Sequence, residues 1–282
     1  MTKKTTYWKI ILNCSLLFFI SNLFISAQVK IYIVTDLEGV SGVYKFEQTR
    51  AKDTPLNTQA CEYFMKDLAA VVRGLRDGGA NEIIVVDGHG SQAMIPHLME
   101  PGAKYVTGNP KILGEGWRLD STFSGVVIFG HHAMMGTPDG VLNHTQDSKK
   151  ENRYWYNGVE SGELVQVAAN AGLKGVPVIM VTGDVATCRE ANGFFGNKIV
   201  TVATKQGISR EAAILYPFEE THEALHKGAI KAISLITECK PYVLELPVKC
   251  KMEYLDLDSK QPESKYITKE WISNDGRKLL GP

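Results

Sequence analysis

Short runs of aliphatic and β-branched residues recur along the chain, and three of them close on chemically similar clusters. Lys30-Ile31-Tyr32-Ile33-Val34-Thr35 runs into Asp36-Leu37-Glu38-Gly39, and Glu82-Ile83-Ile84-Val85-Val86 runs into Asp87-Gly88-His89-Gly90. Gly125-Val126-Val127-Ile128-Phe129-Gly130 runs into His131-His132. Apolar runs this short, bounded by Gly and polar residues, predict strands buried on both faces of a parallel sheet. Further strands are expected near Tyr105-Val106-Thr107-Gly108, over 176–182 and near 198–203. Between them, apolar residues at three- and four-residue spacing predict helices over 58–77, 159–171 and 219–237. Residues 41–56 and 133–157 read as loops, the second lying over the strand ends.

Alternation of strand and helix predicts an α/β fold with a mostly parallel sheet flanked by helices. From Pro241 the pattern changes. Residues 242–246 and 248–254 alternate like strands and a charged tail follows, so 241–282 is expected to form a small C-terminal β appendage on an α/β domain spanning 28–240. Residues 1–27 stand apart: Lys3, Lys4 and Lys9 precede the largely apolar stretch Ile10–Ile25, then Ser26-Ala27. This reads as a signal peptide cleaved near Ala27-Gln28, with a periplasmic or secreted mature protein. The apolar stretch is short for a spanning helix and is interrupted by polar residues, so no stable membrane association is expected after cleavage.

In open parallel sheets, ligands gather outside the carboxyl ends of the strands, so the three clusters should converge. Two residues apart at a strand end, Asp36 and Glu38 point the same way. Two carboxylates held together call for a compensating cation. Five of the seven histidines lie between residues 89 and 144: His89, His97, His131, His132 and His144. His89 is aimed at the same cleft, with Asp87 a candidate to orient its ring. Of the adjacent His131 and His132, one is expected to face the site. His97 and the helical pair His222 and His226 are expected to serve ordinary structural roles. Asp, Glu and His together favour zinc, with manganese the alternative, over calcium or magnesium. A carboxylate that bridges two metals would suit hydrolysis. On these residues alone, a metal-dependent phosphohydrolase and a non-catalytic periplasmic binder of peptide or metal stay open beside a peptidase.

Several ordered strings narrow the choice. Val34-Thr35-Asp36-Leu37-Glu38-Gly39-Val40-Ser41-Gly42 resembles the VDMEGISG opening of the DppA-like zinc D-aminopeptidase family. So do Asp87-Gly88-His89, FGHHAMMGTPDGVLNHT at 129–145, NGVESGEL at 157–164, VTGD at 181–184 and TKQGISREAA at 204–213. The resemblance is collinear over about residues 29–235. It implies a dinuclear zinc aminopeptidase acting on short peptides that contain D-amino acids, assembled as a homo-oligomer. It implies metal ligation by Asp36, Glu38, His89, His132 and Glu163, with Asp36 bridging two zinc ions, and a catalytic role for His144. It also sets His131 outside the ligand set. Relatives close with a longer segment ending in a helix, whereas no apolar helix pattern follows Tyr266 here. Subunit contacts and the walls that set substrate size are therefore where differences from the family are expected.

Charge excludes one class of partner. The chain carries 31 basic and 31 acidic residues, and removal of 1–27 takes three lysines and no acid. A mature net charge of −3 offers no electrostatic footprint for nucleic acid. Four cysteines remain after residue 27, without a CxxC pair, so neither a zinc ribbon nor a dithiol redox site is expected. Export permits disulfides, and Cys239 with Cys250 is the nearest pair in sequence.

Overall fold

A computed structural model describes residues 28–90, 92–108, 118–257 and 265–282. The expected signal segment, 1–27, lies outside the described residues.

The first apolar run forms β1 (Lys30–Thr35), followed by a short helix α1 (Phe46–Arg50) and a long helix α2 (Pro55–Asp77). Then come β2 (Glu82–Asp87), β3 (Lys104–Val106), β4 (Gly125–Phe129), β5 (Arg153–Tyr156), β6 (Val159–Ser161) and α3 (Glu163–Gly172). They are followed by β7 (Val178–Asp184), α4 (Val185–Phe195), β8 (Val200–Ser209), β9 (Ala212–Leu215), α5 (Phe218–Ser234), β10 (Val248–Asp256) and β11 (Lys265–Ser273). Seven strands form one sheet in the order β3-β2-β1-β4-β7-β8-β9. All neighbours pair in parallel except β8 with β9. Every residue of β4 and β7 is buried, as strands covered on both faces require.

Strand order reverses between β1 and β4. Chain connections leave the sheet in opposite directions from these two neighbours, which opens a crevice beyond their carboxyl ends. Asp36 directly follows β1 and His131 lies two residues past β4, and Asp36 N–H donates to the Phe129 carbonyl at 2.8 Å across the seam. The parallel register, Thr35 opposite Asp87 and Phe129, brings all three sequence clusters to this one edge.

Helix α2 starts three residues earlier than its apolar spacing predicts. The Thr54 hydroxyl caps the Asn57 N–H at 3.2 Å, and Pro55 occupies the first turn, where its missing donor costs nothing. Helix α5 packs on α2. His222 reaches Asp67 at 3.1 Å and His226 reaches Asp77 at 2.7 Å, so this pair clasps two helices together.

A second, antiparallel sheet has the order β11-β10-β5-β6. Its strands come from both sides of residue 240: β10 and β11 from the expected appendage, β5 and β6 from the stretch read as loop and helix start. Helix α3 lies between the two sheets. Its Leu164, Ala168 and Ala171 enter the main core, while Val165 and Ala169 join Tyr154, Tyr156, Val248, Cys250 and Leu279 in a smaller one. Residues 242–246 are not a strand. Prolines at 241 and 247 flank them, and the Tyr242 ring packs edge-on against Phe194 and Phe195. Cys61, Cys188, Cys239 and Cys250 are all free and buried, so Cys239 and Cys250 are not joined. Among the described residues, no helix is long and apolar enough to cross a membrane.

Candidate metal centre

Three histidines at the crevice, His89, His132 and His144, each spend one ring nitrogen on a backbone carbonyl. His89 Nε2 lies 3.0 Å from the Thr49 oxygen, His132 Nδ1 3.0 Å from the Ala133 oxygen and His144 Nδ1 2.8 Å from the Leu142 oxygen. With those nitrogens donating, the neutral tautomers would present His89 Nδ1, His132 Nε2 and His144 Nε2 to a metal, His89 and His132 once each has given up the proton that it shares with Asp36. Metal-binding imidazoles are held in this way. Asp87, expected to orient the His89 ring, instead holds the turn: its carboxylate accepts from the backbone N–H groups of His89 and Ala93. The ring is oriented by Thr49, at the end of α1 in a stretch that the sequence pattern left as loop.

Asp36 sits at the centre. Its Oδ1 is 2.8 Å from His89 Nδ1, and its Oδ2 is 3.3 Å from His132 Nε2 and 3.7 Å from His131 Nδ1. Glu38 Oε2 approaches His89 Nδ1 at 3.1 Å, and Glu163 Oε1 approaches His132 Nε2 at 3.6 Å. Three overlapping sets result: Asp36, Glu38 and His89; Asp36, His131 and Glu163; and His132, His144 and Glu163. Within each set one ligand atom per residue lies within 4.8 Å of the others. The expected ligands Asp36, Glu38, His89, His132 and Glu163 thus converge, and His144 joins them. So does His131, which the family resemblance sets aside; both its ring nitrogens are buried without a hydrogen-bond partner.

The charges are those of a cation cage. Burial alone would push the His132 imidazole down, but the Asp36 hydrogen bond and the charges of Glu163, Asp36 and Glu38 carry it up to about 10. His89 is likewise buried, yet Glu38 and Asp36 hold it well above the ordinary histidine range. Burial would raise Asp36, but hydrogen bonds from His132 and His89 keep it well below the usual carboxylate range. Glu163 is raised by burial, and the neighbouring Asp36 and Glu38 charges add to that. Burial pushes His131 and His144 down to about 4, so both are neutral at pH 7. Buried carboxylates facing imidazole lone pairs fit zinc, which binds this donor set. The two oxygens of Asp36 face different histidine groups, as a carboxylate shared by two ions requires.

Backbone geometry makes this convergence reachable. Gly39 and Gly183 flank the His131 carbonyl, where a Cβ would lie 1.9 Å and 2.3 Å from its oxygen. Leu142 and Gln146 adopt left-handed φ values of 52° and 66° on either side of His144, conformations that side-chain-bearing residues hold only under constraint. The Gln146 N–H uses its turn to donate to Glu163 Oε1 at 2.6 Å. Beneath Glu38, the fully buried Lys205 of β8 donates from Nζ to the carbonyls of Glu38 and Val40, each at 2.7 Å. Burial lowers this ammonium to about 8 against the pull of Asp184, Asp67 and Glu38.

Residues 29–266 match the D-aminopeptidase family. The chain belongs to that family. A curated relative, the D-aminopeptidase of Bacillus subtilis (strain 168), is 31% identical over 185 residues, which make up 65% of this chain and 66% of the relative. The solved structure of a Zn-dependent D-aminopeptidase from Bacillus subtilis, DppA, described as a self-compartmentalizing protease, superposes with a TM-score of 0.77. That match covers 89% of this chain and 94% of the other at 22% identity, and it shows a shared fold.

Lys205 and α1 support the site, through the Glu38 and Val40 carbonyls and the His89 ring, and neither follows from the strand ends. Lys205 lies within TKQGISREAA, in a strand that mixes Val and Ala with Thr, Gln and Ser, so no apolar pattern marked it out. For α1 there was little signal either: only Phe46, Gln48 and Thr49 of its residues are buried.

Proposed function

We propose that this protein is an exported, dinuclear zinc aminopeptidase that releases the N-terminal residue from short peptides containing D-amino acids. The observation that carries the reading is Asp36, whose two oxygens each face a separate imidazole group within a cluster of three carboxylates. Asp36, Glu38, His89, His132 and Glu163 would hold the metal, with Asp36 between the two ions. A bound zinc pair supplies polarisation of the scissile carbonyl and acidification of water.

The residues of the chain do the rest. Family membership supports peptide hydrolysis, and His144 suits the proton transfer it needs. Its Nδ1 is fixed on the Leu142 carbonyl, and its Nε2 is neutral at pH 7 and faces the carboxylates. It can take a proton there and return it to the departing amine. The surrounding loop buries it, leaving His144 8% exposed, which limits competition from bulk water. Imidazoles in the cage argue against an oxygen-ligated magnesium phosphohydrolase. Export rests on the sequence of residues 1–27, and assembly into a homo-oligomer on the relative described as self-compartmentalizing.

The test is metal analysis of purified protein together with turnover of a panel of D- and L-peptides. Close to two zinc ions per chain and release of N-terminal residues, faster for D-peptides, are expected. A zinc-loaded protein inert on the whole panel overturns the reading.

A further inference from the structure

A cavity of about 660 Å³ opens from Glu163 along the outer side of β1 and α3. Its volume falls within the range of small-ligand sites. Tyr32, Val34 and Val167 contribute an apolar lining, and Gln146 and Gln166 stand beside Glu163. Gln146 Nε2 donates to Gln166 Oε1 at 2.8 Å, and Gln166 Nε2 donates to the Tyr156 hydroxyl at 3.0 Å. That hydroxyl in turn donates to the Leu279 carbonyl at 3.0 Å, which ties the C-terminal tail into the wall.

Three cations from separate segments meet around this space: Arg118 ahead of β4, Lys174 after α3, and Arg277 in the tail. Among the described lining residues, Glu163 is the only acid. Arg118 and Lys174 make no ion-pair contact among the described residues, although the charge of Asp120, two residues on, is felt at Arg118. Arg277 touches only its turn neighbour Asp275, at 3.4 Å with both side chains exposed, a contact that solvent screens heavily. A cavity that starts at Glu163, has an apolar stretch along its length and is lined by three cations against one acid is complementary to a ligand with an apolar body and an anionic end.

We propose that this cavity is the subsite for the leaving part of the substrate, with Arg118, Lys174 and Arg277 recognising the free α-carboxylate of a short peptide. This rests on the aminopeptidase reading above. It makes the enzyme selective for peptides whose C-terminus lies a residue or so beyond the scissile bond. The cations touch no reacting atom, so they act on binding. Exposed charges work at modest strength and are screened by salt.

The experiment uses full-length, zinc-loaded protein and alanyl-alanine in D,D and L,L forms, each as free acid and as C-terminal amide. The free acid is expected to be favoured by roughly tenfold in kcat/KM, mostly through KM, with the preference shrinking as salt rises. In a triple variant, Arg118→Gln with Lys174→Gln and Arg277→Gln, the preference should fall towards one while kcat is kept. Equal use of acid and amide by the unaltered protein overturns the subsite but leaves the peptidase standing. So does a preference that survives in the triple variant. If no form is cleaved, the peptidase reading fails, and calorimetric titration of the same acid and amide decides the subsite: tighter binding of the acid, lost in the triple variant, supports it, and equal binding overturns it.

Discussion

The imidazoles of His132 and His144 are stacked, with ring centroids 3.8 Å apart and planes 14° from parallel. One ring faces Asp36 and Glu163 as a ligand would, and the other is anchored on the Leu142 carbonyl and touches Phe46 edge-on. A protonated His132 would repel a second positive charge on its stacked neighbour, and together with burial this keeps His144 neutral.

His144→Ala is therefore expected to lower kcat by about 10²- to 10⁴-fold, the usual worth of a positioned acid–base group. Zinc content should be unchanged, because the five proposed ligands remain. Metal analysis of the variant separates the roles: loss of one zinc per chain would make His144 a ligand.

Zinc binding should be strongly pH-dependent. In the metal-free protein His132 holds its proton up to about pH 10, and His89 is also raised. At neutral pH zinc must displace both protons, so apparent affinity should rise with pH by up to about a hundredfold per unit when two protons are released. Competition titrations with a chelator at pH 6, 7 and 8 measure the slope. A flat profile would contradict the protonation of this pair.

Lys205→Met should damage the centre from below. It strips two buried carbonyls of their donor and removes a buried positive charge that faces Asp67, Asp184 and Glu38. A loss of about 2–4 kcal/mol in unfolding free energy is expected. Since the carbonyls of Glu38 and Val40 flank a ligand turn, zinc should also dissociate faster from the variant, as read by chelator-driven release at a denaturant-free temperature well below unfolding.

Glu190 gives a stability prediction with a definite sign. Burial pushes its carboxyl up to about 7, one oxygen accepts the Met134 N–H at 2.9 Å, and the other is buried without a partner. Between its ordinary 4.5 and about 7 the folded state holds a proton that the unfolded state has lost. Stability from this group is thus complete below pH 4.5 and falls as pH rises through 7. Glu190→Gln should be more stable than the parent by about 1–3 kcal/mol at pH 8, with the difference vanishing below pH 5. Urea midpoints at both pH values report it.

The parallel sheet and the convergence at its edge were legible because buried strands leave continuous apolar runs and the ligands follow them directly. Asp36, Glu38, His89 and the two histidines after β4 could be placed from that pattern alone. Glu163 and His144 could not, since a first-turn helix acid and a loop histidine carry no periodic signal; the family resemblance supplied both. Helix α4 was missed because Asp184 looked like a strand end, although it is also the cap that accepts the Thr187 N–H at 2.7 Å. The second sheet was hidden for another reason. Arg153–Tyr156 finds its partner in β10, with Tyr156 opposite Cys250, and no local pattern announces a pairing so distant along the chain.

That distant pairing sets an order of events during synthesis. β5 and β6 lead directly into Glu163, yet their neighbour β10 leaves the ribosome only after the entire main sheet has been made. Until then α3 has one face without its cover, and Val165 and Ala169 stay wet. The proposed ligand Glu163 opens a helix whose second face is covered by the last part of the chain, so a prematurely terminated polypeptide would carry the candidate ligand strings without the sheet that packs beside them.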